Sequence, residues 1–305
     1  PLHKMGKRNF LQIFLVVCLG VFLNYQLPAQ LVVNPNVTST QLMNNMIAQG
    51  LTVSNVQLNC TQGAYGTFNG SASNLGIANG ILLTTGNVSL ATGPNNSANI
   101  GANNQIQFSD PQLTGLVSNA TYDPCVLEFD VIPNCDSLEI RFVFGSEEYM
   151  EFVNRSFNDA FGFFITGPNP LGGNFNNTNI AWIPGTSTPV SVQNVNLNTN
   201  SSWYFDNGNG TGNGTATDGL TVQFDGFTKV MTVKIRLTPC ASYHFKIAIA
   251  DDHSIFRDGF KLLLKNQPEL ELVGEAEHGL ELLSVIAEKQ PDVVIIDIKM
   301  PVMDG

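Results

Sequence analysis

The stretch Tyr243-His244-Phe245-Lys246-Ile247-Ala248-Ile249-Ala250-Asp251-Asp252 has two readings, and the fold turns on which one holds. From its first residue, Tyr243, Phe245, Ile247 and Ile249 alternate with His244 and Lys246. A period of two marks a strand with one face buried in an antiparallel sheet. From its last residue, 247–250 is a short apolar strand that stops at an acidic pair. That pattern suits the opening strand of a parallel α/β sheet, whose strand C-termini collect at one edge.

Upstream, the antiparallel reading continues. In 138–144, Leu138, Ile140, Phe142 and Phe144 oppose Glu139 and Arg141. In 231–237, Met231, Val233, Ile235 and Leu237 oppose Thr232, Lys234 and Arg236. Turn signals between such runs are dense, among them Asn69-Gly70, Asn79-Gly80 and Asp225-Gly226. A short helix is expected near 41–49. Residues 31–245 are therefore expected to form a mainly β module, sandwich or jelly-roll-like.

Downstream, the text changes. Of 34 Asn, 31 lie in 31–250 and one lies after 250. Residues 31–250 hold 6 Lys/Arg and 13 Asp/Glu, whereas 251–305 hold 5 and 12 in a quarter of the length. Ser254 can cap a helix through about Asn266, with Phe256, Phe260 and Leu263 in helical spacing. A strand at 270–273 and a helix at 280–289 follow, the latter with Leu282, Leu283 and Ile286 turned inward. Val293-Val294-Ile295-Ile296 reads as a strand buried on both faces and ends at Asp297. This is βαβαβ order, an α/β flavodoxin-like start, and it brings Asp251, Asp252 and Asp297 to one sheet edge. Carboxylates gathered there call for a divalent cation such as Mg²⁺.

At the other end, Lys7 and Arg8 precede an apolar run, 10–23, and then Leu27-Pro28-Ala29-Gln30. Residues 1–30 read as a secretory signal peptide cleaved near Ala29 or Gln30. Cys18 lies inside it. Cys60, Cys125, Cys135 and Cys240 remain, enough for two disulfides in an exported chain, with three connectivities open. The net charge of −11 argues against direct nucleic-acid binding by bulk electrostatics.

Glu147, Glu148, Glu151 and Asp159 are clustered in sequence. They admit a Ca²⁺ site, a carboxylate pair for glycoside hydrolysis, or a turn and bulge held by side-chain hydrogen bonds. Asn207-Gly208-Asn209-Gly210-Thr211-Gly212-Asn213, with Asp218 beyond, copies the spacing of a calcium loop but lacks its early carboxylates and reads as an ordinary loop. A Ser/His/Asp or Cys/His constellation does not stand out, so the chain is expected to be non-catalytic.

Several segments are more specific than generic β sequence. Gly145-Ser146-Glu147-Glu148-Tyr149, the run 157–165, Ile180-Ala181-Trp182-Ile183-Pro184-Gly185-Thr186, Asn194-Val195-Asn196 and Asp225-Gly226-Phe227-Thr228 occur in that order. Together they resemble the choice-of-anchor L domain of secreted bacterial proteins, notably from Bacteroidetes, over about 40–250. The resemblance implies an exported surface module with an unknown glycan or protein ligand, and it transfers no catalytic residue.

Residues 246–305 resemble a response-regulator receiver domain. The matching text is Ile249-Ala250-Asp251-Asp252-His253, Phe256-Arg257-Asp258-Gly259 and Asp297-Ile298-Lys299-Met300-Pro301-Val302-Met303-Asp304-Gly305. Its start is similar to regulators with a LuxR-type helix-turn-helix output. The resemblance implies Asp297 as phosphoacceptor and a Mg²⁺ site of Asp251, Asp252, Asp297 and the Lys299 backbone carbonyl. It also implies a sensor histidine kinase as partner. The match reaches Gly305 before the family's later Thr/Ser and Lys, so a truncated receiver that folds poorly alone and phosphorylates inefficiently is expected.

One segment, 243–252, thus serves both resemblances. The compartments also conflict, since the signal implies a secreted or cell-surface chain and the receiver a cytoplasmic one. The simplest expectation is a chimera joined at the shared motif, with a genuine fusion as the alternative.

Overall fold

The computed structural model describes residues 30–47, 50–97, 100–101, 110–117, 122–149, 153–154, 158–208, 219, 221–251, 273–274, 279–292 and 294. Apart from Gln30, the segment read as a signal peptide lies outside these residues. The chain divides into two compact units, 1–252 and 253–305. In chain order the first unit contains β1 (Val32–Asn34), α1 (Ser39–Met46), β2 (Leu51–Asn59), β3 (Tyr65–Asn69), β4 (Asn79–Leu83), α2 (Pro111–Leu116) and β5 (Tyr122–Pro133). It continues with β6 (Ser137–Phe142), β7 (Gly145–Ser146), β8 (Ala160–Pro168), β9 (Asn174–Asn179), β10 (Tyr204–Asp206), β11 (Gly226–Thr228), β12 (Met231–Arg236) and β13 (Tyr243–Asp251).

The largest sheet has the order β2-β5-β13-β8-β9. All its pairings are antiparallel, so the first reading of 243–251 is the one the fold adopts. β13 is the middle strand. Its lower neighbour is β5, with Phe245 opposite Phe129, and its upper neighbour is β8, with Phe245 opposite Ile165. The strand passes beyond the 245/246 boundary drawn from sequence and runs to Asp251, with a bulge between Ile249 and Asp251.

The alternation places Leu127, Phe129, Val131, Phe163, Ile165, Tyr243, Phe245 and Ile247 in the main core. Phe245 is the hub, with its ring 5.8 Å from Phe129 and 5.6 Å from Phe163. Aromatic pairs at this spacing add to what area burial supplies. β6 and β12 pair antiparallel, with Met231 opposite Phe142, Val233 opposite Ile140 and Ile235 opposite Leu138. Their apolar side chains join the same core, while Lys234 and Glu139 meet outside at 3.1 Å. The alternation read in 138–144 and 231–237 is therefore realised as one two-stranded ladder.

The opposite face of the large sheet is covered by α2. Leu113 and Val117 pack there on Val126, Ala160, Phe164, Ala248 and Ala250. Gly162 keeps that contact close, because a Cβ there would come within 2.5 Å of the Phe164 ring and 3.1 Å of Leu113. Asp110 caps α2 by accepting from the Gln112 and Leu113 N–H groups, and Pro111 occupies the first turn, where its missing N–H is harmless. The helix expected near 41–49 is α1. It opens on a capping box in which Gln41 N–H donates to Thr38 Oγ1 and Thr38 N–H donates to Gln41 Oε1.

Of the turn signals, Asn79-Gly80 stands where the β3–β4 connection ends and opens β4, and Asp225 bends just before Gly226 enters β11. Cross-strand partners hold Asn79 and Gly80 extended, whereas the chain turns at Asp225 before Gly226 pairs.

In the second unit, α3 (Gly279–Lys289) corresponds to the helix expected at 280–289. Leu282, Val285 and Ile286 are half-buried, whereas Leu283, expected inward, is 57% exposed. The inward stripe therefore runs through Val285. The helix expected at 254–266 lies outside the described residues, as do 270–272 and all of 293–296 except Val294.

Candidate functional site

Three small sheet elements converge on one buried polar group. β7 pairs with β11, and β11 with β10, which sets Ser146 opposite Gly226 and Tyr204 opposite Thr228. Ser146 Oγ donates to Asp159 Oδ2 at 2.6 Å, and Glu148 N–H donates to Ser146 Oγ at 2.9 Å. The Tyr149 and Tyr204 rings lie 4.8 Å apart. Asp225 is fully buried and accepts from Asn95 Nδ2 at 2.8 Å. Gly226 is required here, since a Cβ would come within 2.6 Å of Tyr204 Oη and 2.8 Å of the Tyr149 ring.

Burial pushes the Tyr149 phenol well above its ordinary pKa, and the neighbouring Tyr204, Asp159 and Glu148 push in the same direction. Tyr149 is wholly buried and Glu148 is 6% exposed. A glycosidase pair needs its carboxylates open to a sugar, and this group packs as interior instead. Among the described residues, no three His, Cys, Asp or Glu side chains come together in a way that could hold a metal ion. The Ca²⁺ reading of Glu147, Glu148 and Asp159 gains nothing there, and Glu151 lies outside the described residues. The hydrogen-bonded turn is what the structure builds, but it is buried rather than solvated. The sequence flagged Ser146, Glu148 and Tyr149 as one motif. Tyr204 reaches the same group without any sequence signal.

Asn207, read as the head of a calcium-like loop, is buried and structural. Its Nδ2 donates to the Val222 and Phe224 carbonyls at 3.1 and 2.7 Å. Residues 209–218 lie outside the described set.

On the rear face of the large sheet, β13 presents His244 and Lys246. His244 Nδ1 lies 2.9 Å from Asp130 Oδ1, and Asn55 Nδ2 donates to Asp130 Oδ2 at 2.6 Å. Those two hydrogen bonds, Asn55 first, hold the Asp130 carboxyl below its usual range. An ionised carboxylate only accepts, so His244 Nδ1 carries the proton. Lys246 is 8% exposed; it pairs with Asp110 and lies 3.8 Å from Glu128.

Cys60 and Cys125 form a disulfide, because the register that pairs Asn59 with Val126 brings the next residues face to face. Cys135 and Cys240 are free and exposed, so one of the two expected disulfides is present.

Of the receiver acids, Asp251 ends β13, with its backbone opposite Tyr122. Asp252, Asp297 and Lys299 lie outside the described residues.

Comparison with known proteins separates the two parts of the chain. A response-regulator receiver domain model matches residues 247–305. The chain is 52% identical over 60 residues to an uncharacterized transcriptional regulatory protein, YhcZ, of Bacillus subtilis, covering 20% of this chain and 28% of that protein. It is 45% identical over 56 residues to the oxygen regulatory protein NreC of Staphylococcus epidermidis, covering 18% and 26%. It is 43% identical over 61 residues to a protein-glutamate methylesterase/protein-glutamine glutaminase of Pseudoalteromonas atlantica, covering 20% and 16%. The chain thus spans well under a third of the length of these curated relatives. Receiver domains in general bind Mg²⁺ at an acidic site and pair with sensor histidine kinases. No solved structure matches. The choice-of-anchor L domain model matches residues 32–267, sharing 247–267 with the receiver match. That match takes in most of the sequence and every described strand, and the chain belongs to the choice-of-anchor L family.

Proposed function

We propose that this chain acts as an exported, non-catalytic β module that offers its surface to a glycan or protein ligand. Its receiver-like segment takes up no phosphoryl group while that module is folded. The observation that carries the reading is the pairing of β13 on both sides, to β5 and to β8. A receiver needs the same text, 247–252, as the parallel strand that delivers Asp251 and Asp252 to the edge where Asp297 waits. A strand has two hydrogen-bonding edges, and both are occupied by antiparallel partners. The Cys60–Cys125 disulfide supports an oxidising, extracytoplasmic setting, in keeping with the signal-like text of residues 1–30. On this reading the joined parts compete for one strand, and the β module holds it.

A second reading is favoured by the 52% identity to a transcriptional regulatory protein. It is a cytoplasmic phosphorelay receiver, with Asp297 as phosphoacceptor. Asp251, Asp252, Asp297 and the Lys299 carbonyl would hold Mg²⁺, and a sensor histidine kinase would be the donor. The full chain incubated with acetyl phosphate and Mg²⁺ separates the two. Intact mass is expected to stay unchanged. A stoichiometric, hydroxylamine-labile phosphoryl adduct on Asp297 would establish the receiver instead. Fractionation of the producing cells adds an independent readout, with the chain expected outside the cytoplasm.

A further inference from the structure

The two free cysteines occupy neighbouring connections. Cys135 lies between β5 and β6, and Cys240 lies between β12 and β13. Because β5 pairs with β13 and β6 with β12, the two connections run side by side where one ladder gives way to the other. Two backbone hydrogen bonds tie the connections together, on either side of Cys135 and up to Cys240 itself. Cys240 N–H donates to the Pro133 carbonyl at 2.8 Å, and Leu237 N–H donates to the Asp136 carbonyl at 2.9 Å. Cys135 sits between those two anchors on its own strand.

The backbone of Cys240 adds a separate observation. Ala241 N–H donates to the Thr238 carbonyl at 3.2 Å, closing a turn with Pro239 at its second position and Cys240 at its third. Cys240 has φ +63°, the left-handed region that this turn position requires. Glycine or asparagine fills such a position at lower cost.

We propose that Cys135 and Cys240 form a second, surface disulfide that clamps the β5–β6 connection to the β12–β13 connection. The oxidant is a disulfide such as oxidised glutathione. One thiolate attacks a glutathione sulfur, expelling glutathione thiolate, and the second thiolate attacks the mixed disulfide to expel another. Two protein thiols lose two protons and two electrons, and one glutathione disulfide becomes two thiols. Exposure makes both sulfurs reachable, unlike the interior Cys60–Cys125 bridge, where Cys125 is 1% exposed.

The test treats the full chain with oxidised glutathione, without denaturant, then alkylates it and maps peptides under non-reducing conditions. A peptide linking Cys135 to Cys240 is expected in most of the material, alongside the Cys60–Cys125 peptide. In the Cys135→Ser variant, Cys240 is expected to be captured quantitatively as its glutathione or alkyl adduct. Recovery of both cysteines of the parent chain as separate adducts, or as links between two chains, would overturn the proposal. The mapping does not depend on where the chain resides, so its failure leaves the export reading standing or falling by itself.

Discussion

Lys246 and Asp110 form an ion pair beneath α2, with Lys246 8% and Asp110 4% exposed. One oxygen of the Asp110 carboxylate caps the helix while the other takes the Lys246 ammonium. A single side chain thus ties the short helix to the middle strand of the sheet. Burying charge is unfavourable unless the pair is complete, so removing one member leaves the other stranded.

Asp110→Ala is therefore expected to destabilise the fold by about 3–5 kcal/mol, since it strands the Lys246 charge and removes the cap of α2. Combining Asp110→Leu with Lys246→Met is expected to recover much of that loss. Urea unfolding followed by tryptophan fluorescence measures both; a single variant no weaker than the double would refute the coupling.

Loss of the Cys60–Cys125 bridge is expected to lower stability by about 4 kcal/mol, the chain-entropy value for a sequence separation of 65 residues. Paired Cys60→Ala and Cys125→Ala substitutions, compared with the parent chain in denaturant, provide the measurement. An unchanged midpoint would mean that the bridge does not constrain the unfolded chain.

Gly226→Ala places a methyl against Tyr204 Oη and the Tyr149 ring. Overpacking of this kind costs about 1–3 kcal/mol. The neighbouring Thr228→Ser retains the hydroxyl that accepts from Phe144 N–H and is expected to be milder. Thermal unfolding ranks the two, and equal midpoints would show that the ring pair yields readily.

The Asp130 carboxyl is held below its ordinary value by Asn55 and His244. A group whose pKa is depressed on folding stabilises the native state above its unfolded value, about 3.9. That stability is lost as pH falls through the folded value. Asn55→Ala is expected to raise the Asp130 pKa and to weaken the fold at neutral pH by less than about 1 kcal/mol, since the site is partly solvent-screened. The gap between the two chains should narrow in strong acid, leaving only the pH-independent cost of Ala at the Asn55 φ of +52°. Urea midpoints across pH 2–7 test this, and a gap that widened in acid would reverse the sign.

Much of the β module was legible because alternation is local. Runs such as 138–144 and 231–237 carry their buried face in their own spelling, whereas the capping box of Thr38 and Gln41 that opens α1 was read only from the structure. The buried polar group was legible only in part. Ser146, Glu148 and Tyr149 stand together in sequence and Asp225 belongs to another of the quoted motifs, but Tyr204 and Asn95 come from distant segments that carry no signal.

The amino-acid text by itself determined that 243–249 is a strand, that its odd-numbered side chains share one face, and that the chain carries the wording of two families. Only the tertiary structure decided which sheet receives that strand. Periodicity describes the faces of a strand and is silent about its edges, which are completed by residues remote in sequence. In this protein those edges go to β5 and β8, and the bridge between Cys60 and Cys125 follows from the same long-range register.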